Sequence, residues 1–421
     1  MTGAPIRVLI VDDAIVVRRM LSDVIGSDPG CEVIGMAANG RLGVEKVAEI
    51  NPDVVILDIE MPELDGLGTV TEIRKTNKRV PIIMFSTLTE RGAAATLDAL
   101  ARGANDYVTK PSNVGSVTIA MQRIREELIP KIKQFRPAPP LRPPTAFPPQ
   151  RTLRPSTPIR PLGSPAAPPL GRAPSTPSPL GATPARPGLA TPSTTRRAPT
   201  PSTAAPGPPR PAGTLGRRGG PIDAIGIVAS TGGPNALAEL LPALPASLGV
   251  PVLIVQHMPP LFTQMLAKRI DASSALSIRE GAAGEKVEPG TVWIAPGGEH
   301  LTVKRDGTSV VLGTNMDPPE NSCRPAADVL LRSMADVWGG RLLLVFLTGM
   351  GADGLRGCEQ IAALGGQVLA QDEETSVVWG IPGNVVKAGL ADKVMPLGDL
   401  ALEIGTRVGL AARPRPAGSR P

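Results

Sequence analysis

Ser230, His257 and Asp353 are the residues of this 421-residue chain whose types and surroundings suit nucleophilic acyl transfer. Ser230 stands in G-I-V-A-S-T-G-G-P-N, after an apolar run, with Gly232 and Gly233 able to form a tight turn and Pro234 suited to a first helical turn. A hydroxyl at such a turn is exposed at a sheet edge, and the N–H groups that open the following helix point toward a developing oxyanion. His257 closes the run V-L-I-V-Q, and Asp353 follows Leu342 to Leu347 through T-G-M-G-A-D-G. A histidine at a strand end can take the serine proton, and a carboxylate at a third strand end can orient imidazole Nδ1–H. Each residue alone has a plainer reading. The Ser-Thr-Gly-Gly turn serves equally as an N-cap or a phosphate cradle, His257 as a satisfied core histidine, and Asp353 as the N-cap of a helix near Leu355. His300 lies beside a predicted hairpin. Ser230 is not in GxSxG, and the chain order Ser, His, Asp disfavours the α/β-hydrolase superfamily.

A second group gathers in the first 110 residues. Asp12 and Asp13 follow one apolar run, Asp58 a second, Ser86 a third and Lys110 a fourth. In an open parallel sheet such carboxyl ends converge where ligands bind. Three crowded carboxylates repel one another and raise their pKa values unless a cation intervenes, and oxygen-only ligands suit Mg²⁺. With Lys110 to neutralise phosphoryl charge and Ser86 to donate a hydrogen bond, the group suits phosphoryl transfer to a carboxylate.

The elements that must position these residues alternate between short apolar runs and helical spacing. The first block reads as strands at Arg7 to Val11, around Val33, Val54 to Leu57, Ile82 to Phe85 and Tyr107 to Thr109. Helices are predicted at Ile15 to Ile25, near Leu42 to Ile50, Gly68 to Thr76, Ala93 to Ala101 and about Val114 to Phe135. The second block reads as strands at Ile225 to Ala229, Val252 to Gln256, Thr291 to Ala295, Leu342 to Leu347 and Val368 to Ala370. Its helices follow Pro234 and lie near Phe262 to Ile270, Arg324 to Val337 and Leu355 to Leu364, and a hairpin joins Leu301 to Lys304 with Ser309 to Leu312 across Asp306-Gly307. Both blocks are expected to be α/β doubly wound parallel-sheet domains, the first flavodoxin-like and the second Rossmann-like.

Between them, 26 of the 49 prolines fall from Pro137 to Pro221, with 11 arginines, no lysine and no carboxylate. This stretch has almost nothing large and apolar to bury and is expected to be a disordered linker. Its arginines account for the positive balance, since the rest of the chain carries −5 against +6 overall. Acidic blocks with 2% aromatic residues offer no specific nucleic-acid surface. Cys31, Cys323 and Cys358 are scattered without CxxC spacing, which disfavours a disulfide framework or structural zinc. No apolar run reaches a membrane span, so a cytoplasmic protein without membrane insertion is expected.

V-L-I-V-D-D, D-I-E-M-P-E-L-D-G, F-S-T and Y-V-T-K-P resemble the response-regulator receiver domain across residues 5–125. That resemblance implies Asp58 as phosphoacceptor, Asp12, Asp13 and Asp58 around Mg²⁺, Ser86 and Lys110 as sensors of the acyl phosphate, and Tyr107 as the switch aromatic. By burial alone, Tyr107 reads as an ordinary partly buried tyrosine. The conjunction of S-T-G-G-P, V-Q-H-M-P-P and L-T-G-M-G-A-D-G with the receiver motifs resembles CheB-type chemotaxis protein-glutamate methylesterases. The resemblance implies Ser230 as nucleophile, His257 as general acid/base, Asp353 as its orienting carboxylate, and Thr231 with the Met350 N–H as positioning and oxyanion groups. No cofactor is expected in the catalytic domain. The implied layout is a receiver at 5–125, a helical extension at 126–136, the linker at 137–221, the methylesterase domain at 222–410 and a disordered tail at 411–421.

The activity implied is hydrolysis of glutamyl methyl esters and deamidation of specific glutamines in the cytoplasmic region of methyl-accepting chemotaxis receptors. The phosphodonor implied is a chemotaxis histidine kinase. A competing reading is a non-enzymatic phosphorylation-dependent scaffold, or a nucleotide-binding output domain that holds phosphate at the Ser-Thr-Gly-Gly turn. The unusually long linker raises the question of how tightly the receiver covers the Ser230 cleft.

Overall fold

The structure, a computed structural model, describes residues 4–111, 116–135 and 220–409. The expected linker up to residue 219, the tail and the first residues of the helix predicted from Val114 lie outside the described residues.

The amino-terminal elements are β1 (Ile6–Val11), α1 (Ile15–Gly26), β2 (Cys31–Ala37), α2 (Gly40–Ile50), β3 (Val54–Asp58), α3 (Gly66–Thr76), β4 (Ile82–Ser86), α4 (Glu90–Ala101), β5 (Asp106–Thr109) and α5 (Val117–Gln134). Helices α2, α3 and α4 begin earlier than apolar spacing suggests. Asn39, Asp65 and Thr89 cap them, their side chains accepting from Leu42, Gly68 and Gly92 N–H groups. The five strands pair in parallel in the order β2-β1-β3-β4-β5. The chain leaves β1 toward β2 and returns on the other side at β3, so the sheet's switch point lies between the strands that carry Asp12 and Asp58.

The second domain contains β6 (Ala224–Ala229), α6 (Gly233–Leu240), β7 (Val252–Gln256), α7 (Phe262–Asp271), β8 (Ser277–Glu280), β9 (Thr291–Ile294), β10 (His300–Asp306), β11 (Ser309–Asn315), α8 (Ala327–Trp338), β12 (Leu342–Phe346), α9 (Leu355–Ala363), β13 (Gln367–Gln371), α10 (Ile381–Lys387), β14 (Lys393–Met395) and α11 (Leu397–Arg407). Seven strands form a parallel sheet in the order β14-β13-β12-β6-β7-β9-β8, while β10 and β11 pair as the expected antiparallel hairpin. The switch point here falls between β6 and β12, the strands preceding Ser230 and Asp353. The helix expected from Arg324 starts only at Ala327, after Pro325.

The two domains pack in one compact unit. A contiguous apolar cluster runs from Leu57, Leu97 and Tyr107 of the first domain to Ile227, Leu237 and Phe262 of the second. A separate cluster fills the other face of the seven-stranded sheet between β12 and α8.

Candidate active site

In the amino-terminal domain the strand ends deliver their acidic residues together. Ligand oxygens of Asp12, Asp13 and Asp58 lie within 4.8 Å of one another. Lys110 Nζ is 2.7 Å from Asp58 Oδ1 and 3.5 Å from Asp12 Oδ2. Burial, then the Asp58 charge, raises the Asp12 pKa to about 6, and burial likewise raises Asp58. Asp12 Oδ2 is buried without a hydrogen-bond partner. An orphaned oxygen among carboxylates is what a hard divalent cation would satisfy, so the residues fit Mg²⁺. Ser86 ends β4 as expected, but its hydroxyl donates toward Gly92 O and accepts from Thr96 Oγ1 at 2.7 Å, turned to α4.

In the second domain the chain passes from β6 through Ser230 and Thr231 into α6. Gly232 there has φ +78°, and a Cβ would lie 2.7 Å from Val377. Gly349 packs closely on Ser230, since a Cβ at that position would sit 2.8 Å from Ser230 Cβ. The Gly349 segment therefore brings Met350 alongside Ser230, and among the described residues the Met350 N–H has no hydrogen-bond partner.

His257 follows β7, and its Nε2 lies 2.7 Å from Asp353 Oδ2. The expected nitrogen was Nδ1. Asp353 lies beyond β12, on the far side of β6 from β7, and the ring turns Nε2 to it. Among the described residues no hydrogen bond joins Ser230 Oγ to His257, although both line one cavity.

Asp353 is held from several directions. Its Oδ2 also accepts from Ala327 N–H at 2.6 Å, and Oδ1 accepts from Asn321 Nδ2 at 2.8 Å and from Gly354 N–H at 3.0 Å. Burial pushes this carboxyl up, but the His257 ring and these donors outweigh it and hold it below the usual range. Burial pushes the His257 imidazole down, but Asp353 and the adjacent Cys323 outweigh it and raise the ring above its ordinary value.

Thr231 is not turned toward a substrate. Its hydroxyl donates to Asp106 Oδ2 of the amino-terminal domain at 2.7 Å. Beside it, Tyr107 stacks on Phe262 with ring centroids 4.8 Å apart, and Asn235 Nδ2 donates to Leu100 O at 2.8 Å. Arg269 pairs with Asp98 at the edge. Lys131 bonds Asp106 Oδ1 and lies over the Tyr107 ring, fixing the face that β5 presents. The cavity at Ser230 and His257 is closed by Leu100, Asp106, Tyr107 and Lys131 to about 20 Å³. That volume holds about one water.

The sequence did not single out Asp106, Phe262, Asn321 or Cys323. Asp106 and Phe262 flank Tyr107 and the His257 loop, but which domain faces meet has no local signal. Asn321 is a turn residue with φ +53°. His300 has the plainer role, wholly buried with Nδ1 accepting from Ala326 N–H at 3.1 Å.

A family model described as CheB methylesterase matches residues 225–404, and one described as response regulator receiver domain matches residues 8–122. A protein of Nocardioides sp. named protein-glutamate methylesterase/protein-glutamine glutaminase is 46% identical over 412 residues, covering 98% of this chain and 97% of its own length. One of the same name from Trichodesmium erythraeum is 42% identical, covering 96% and 99%. The solved CheB methylesterase catalytic domain of Thermotoga maritima is 40% identical, covering 44% of this chain and 97% of its own, with a TM-score of 0.43.

Proposed function

Because the chain belongs to the protein-glutamate methylesterase/protein-glutamine glutaminase family, with a receiver and a CheB methylesterase domain, we propose that it hydrolyses glutamyl methyl esters and glutamine amides of chemotaxis receptors, with Ser230, His257 and Asp353 as its working residues. The observation that carries the reading is the hydrogen-bonded Asp353–His257 pair beside Ser230 in a cleft that the receiver closes.

In the open, neutral state, His257 Nδ1 takes the Ser230 proton as Oγ attacks the side-chain carbonyl. Nε2–H stays on Asp353, which holds the ring and stabilises the imidazolium that forms. The Met350 N–H faces the oxyanion, a contribution of about 3–4 kcal/mol for one such donor. His257 then returns the proton to methanol, or to ammonia when glutamine is the substrate. Water attacks the acyl carbon, giving one proton to His257, which passes it to the leaving Ser230 Oγ, and the product acid loses the other to solvent as a glutamate carboxylate.

Regulation runs through the face that shuts the cleft. Asp58 accepts a phosphoryl group from a chemotaxis histidine kinase, with Asp12, Asp13 and Asp58 holding Mg²⁺, which when bound neutralises phosphoryl charge. Lys110 loses its unmodified partner and pairs with the new phosphoryl oxygens, and Ser86 turns from Gly92 to donate to them. Only a conformation with weaker Tyr107–Phe262 and Asp106–Thr231 contacts admits substrate, so phosphorylation activates by favouring that conformation. Thr231 is then released to position the substrate. Among the described residues no helix is long and apolar enough to cross a membrane, and we place the reaction in the cytoplasm, where receptor tails present their glutamates.

The test measures methanol release from methylated receptor by the full chain with and without a small-molecule phosphodonor. The reading expects stimulated release that vanishes in Ser230→Ala. Release that survives in Ser230→Ala refutes it.

A further inference from the structure

Cys323 is remote in sequence from every other cysteine and histidine, yet the fold sets it against the His257–Asp353 pair. Donor atoms of Cys323, His257 and Asp353 lie within 4.8 Å of one another. Three separate segments contribute them: the end of β7, the turn before α8 and the loop after β12. The turn is firmly built. Glu320 and Cys323 exchange backbone hydrogen bonds of 3.1 and 2.9 Å, and Glu320 is gripped by both terminal nitrogens of Arg332 at 2.8 and 2.6 Å. The sulfur and the ring are partly exposed, while Asp353 is buried. Three protein donors would leave the fourth position of a tetrahedral site to water.

We propose that Cys323, His257 and Asp353 form a binding site for a divalent cation of the Zn²⁺ class, and that its occupancy silences the esterase by taking the base and its carboxylate partner as ligands. A sulfur, nitrogen and oxygen donor set selects such a metal over Mg²⁺ or Ca²⁺, which take oxygen ligands. Zinc–ligand bonds of about 2.0–2.3 Å place donors about 3.3–3.8 Å apart, so Cys323 would draw in by at most about 1 Å while the His257–Asp353 pair, now 2.7 Å apart, opens by about as much. On binding, the thiol and the imidazolium release their protons to solvent and the His257–Asp353 hydrogen bond gives way to two metal bonds. The chain therefore holds two cation sites of opposite preference: the all-oxygen cluster at Asp58, and this one. The silencing rests on the function proposed above, whereas the binding does not.

The test uses tag-free full-length chain, stripped with a chelator and titrated with Co²⁺ in excess Mg²⁺. Cys31 and Cys358 are buried, which leaves Cys323 as the accessible thiol. A thiolate-to-cobalt absorption band is expected, with one equivalent of Zn²⁺ abolishing it. Cys323→Ser and Cys323→Ala should each lose the band, with affinity falling beyond the ~10–100-fold that changes outside the ligand shell cost. Phosphodonor-stimulated methanol release should drop at least about tenfold in Zn²⁺ relative to chelator, and that ratio should approach one in both variants. No band in the wild-type chain, or a band that persists in both variants, overturns the site. A band with undiminished methanol release overturns the silencing. A chain that shows the band but releases no methanol under any condition counts against the esterase function and leaves the metal site supported.

Discussion

Asn235→Ala tests whether the receiver face closes the cleft. Asn235 lies in α6 outside the proposed chemistry, and its Nδ2 donates to Leu100 O at 2.8 Å across the domain junction. Alanine removes that bond while Leu100 O keeps its own-helix donor, Gly103 N–H at 2.9 Å, so the loss falls on the shut junction alone. A neutral hydrogen bond of this kind contributes about 0.5–1.5 kcal/mol, which multiplies the opening constant about two- to thirteenfold. Alanine is also the better helix former, so α6 itself is not weakened. Methanol release without phosphodonor should rise by that factor. Release at saturating phosphodonor, where the junction is already open, should not change. An unaltered basal rate in a folded variant would refute the occlusion argument. An equal rise in both conditions would show that Asn235 acts on the esterase site itself.

Asp58→Asn should abolish the response to phosphodonor while sparing basal release, and a chelator that removes Mg²⁺ should do the same to the wild-type chain. Asp353→Asn presents an amide where Ala327, Gly354 and Asn321 all donate, so activity should fall by about 10³–10⁴-fold through loss of ring orientation. The melting temperature of Asp353→Asn should fall as well, because a buried acceptor has become a donor. Asn321→Ala removes one of those donors while leaving the ring contact, so kcat should fall with KM nearly unchanged and Asn321→Asp should not rescue it.

Much of both sheets was legible because buried parallel strands are short β-branched runs, and the candidate residues follow seven strands where the apolar pattern breaks. Strands β8 and β14 escaped notice for the opposite reason. They are edge strands that bury one residue each, Ile278 and Met395, and leave no run to read. The pattern for α11 is present at Leu397, Leu400, Ala401 and Ile404, but it lies beyond the last element the reading placed. Tyr107 read by burial as a partly buried tyrosine and by resemblance as the switch aromatic, and only the pairing of two domain faces reveals Phe262 as its partner. The identity of the histidine nitrogen on Asp353 was likewise beyond the sequence, because it depends on strand order: His257 and Asp353 approach from opposite sides of β6. The same holds for Cys323, whose neighbours are fixed by three loops converging over one sheet edge.

Strand β5 makes the link between the two chemistries unusually short. Asp106 and Tyr107 touch the catalytic domain, while Lys110, at the strand's end, touches Asp58. At about 3.3 Å per residue the two contacts are some 10–13 Å apart along one extended backbone. A signal need cross no helix and no flexible tether, whatever the length of the proline-rich segment elsewhere. Such a rod tolerates substitution better than a change of length: inserting one residue between Tyr107 and Lys110 would reverse which side each presents, and a chain so altered should still take up phosphoryl groups at one end while the other ignores them.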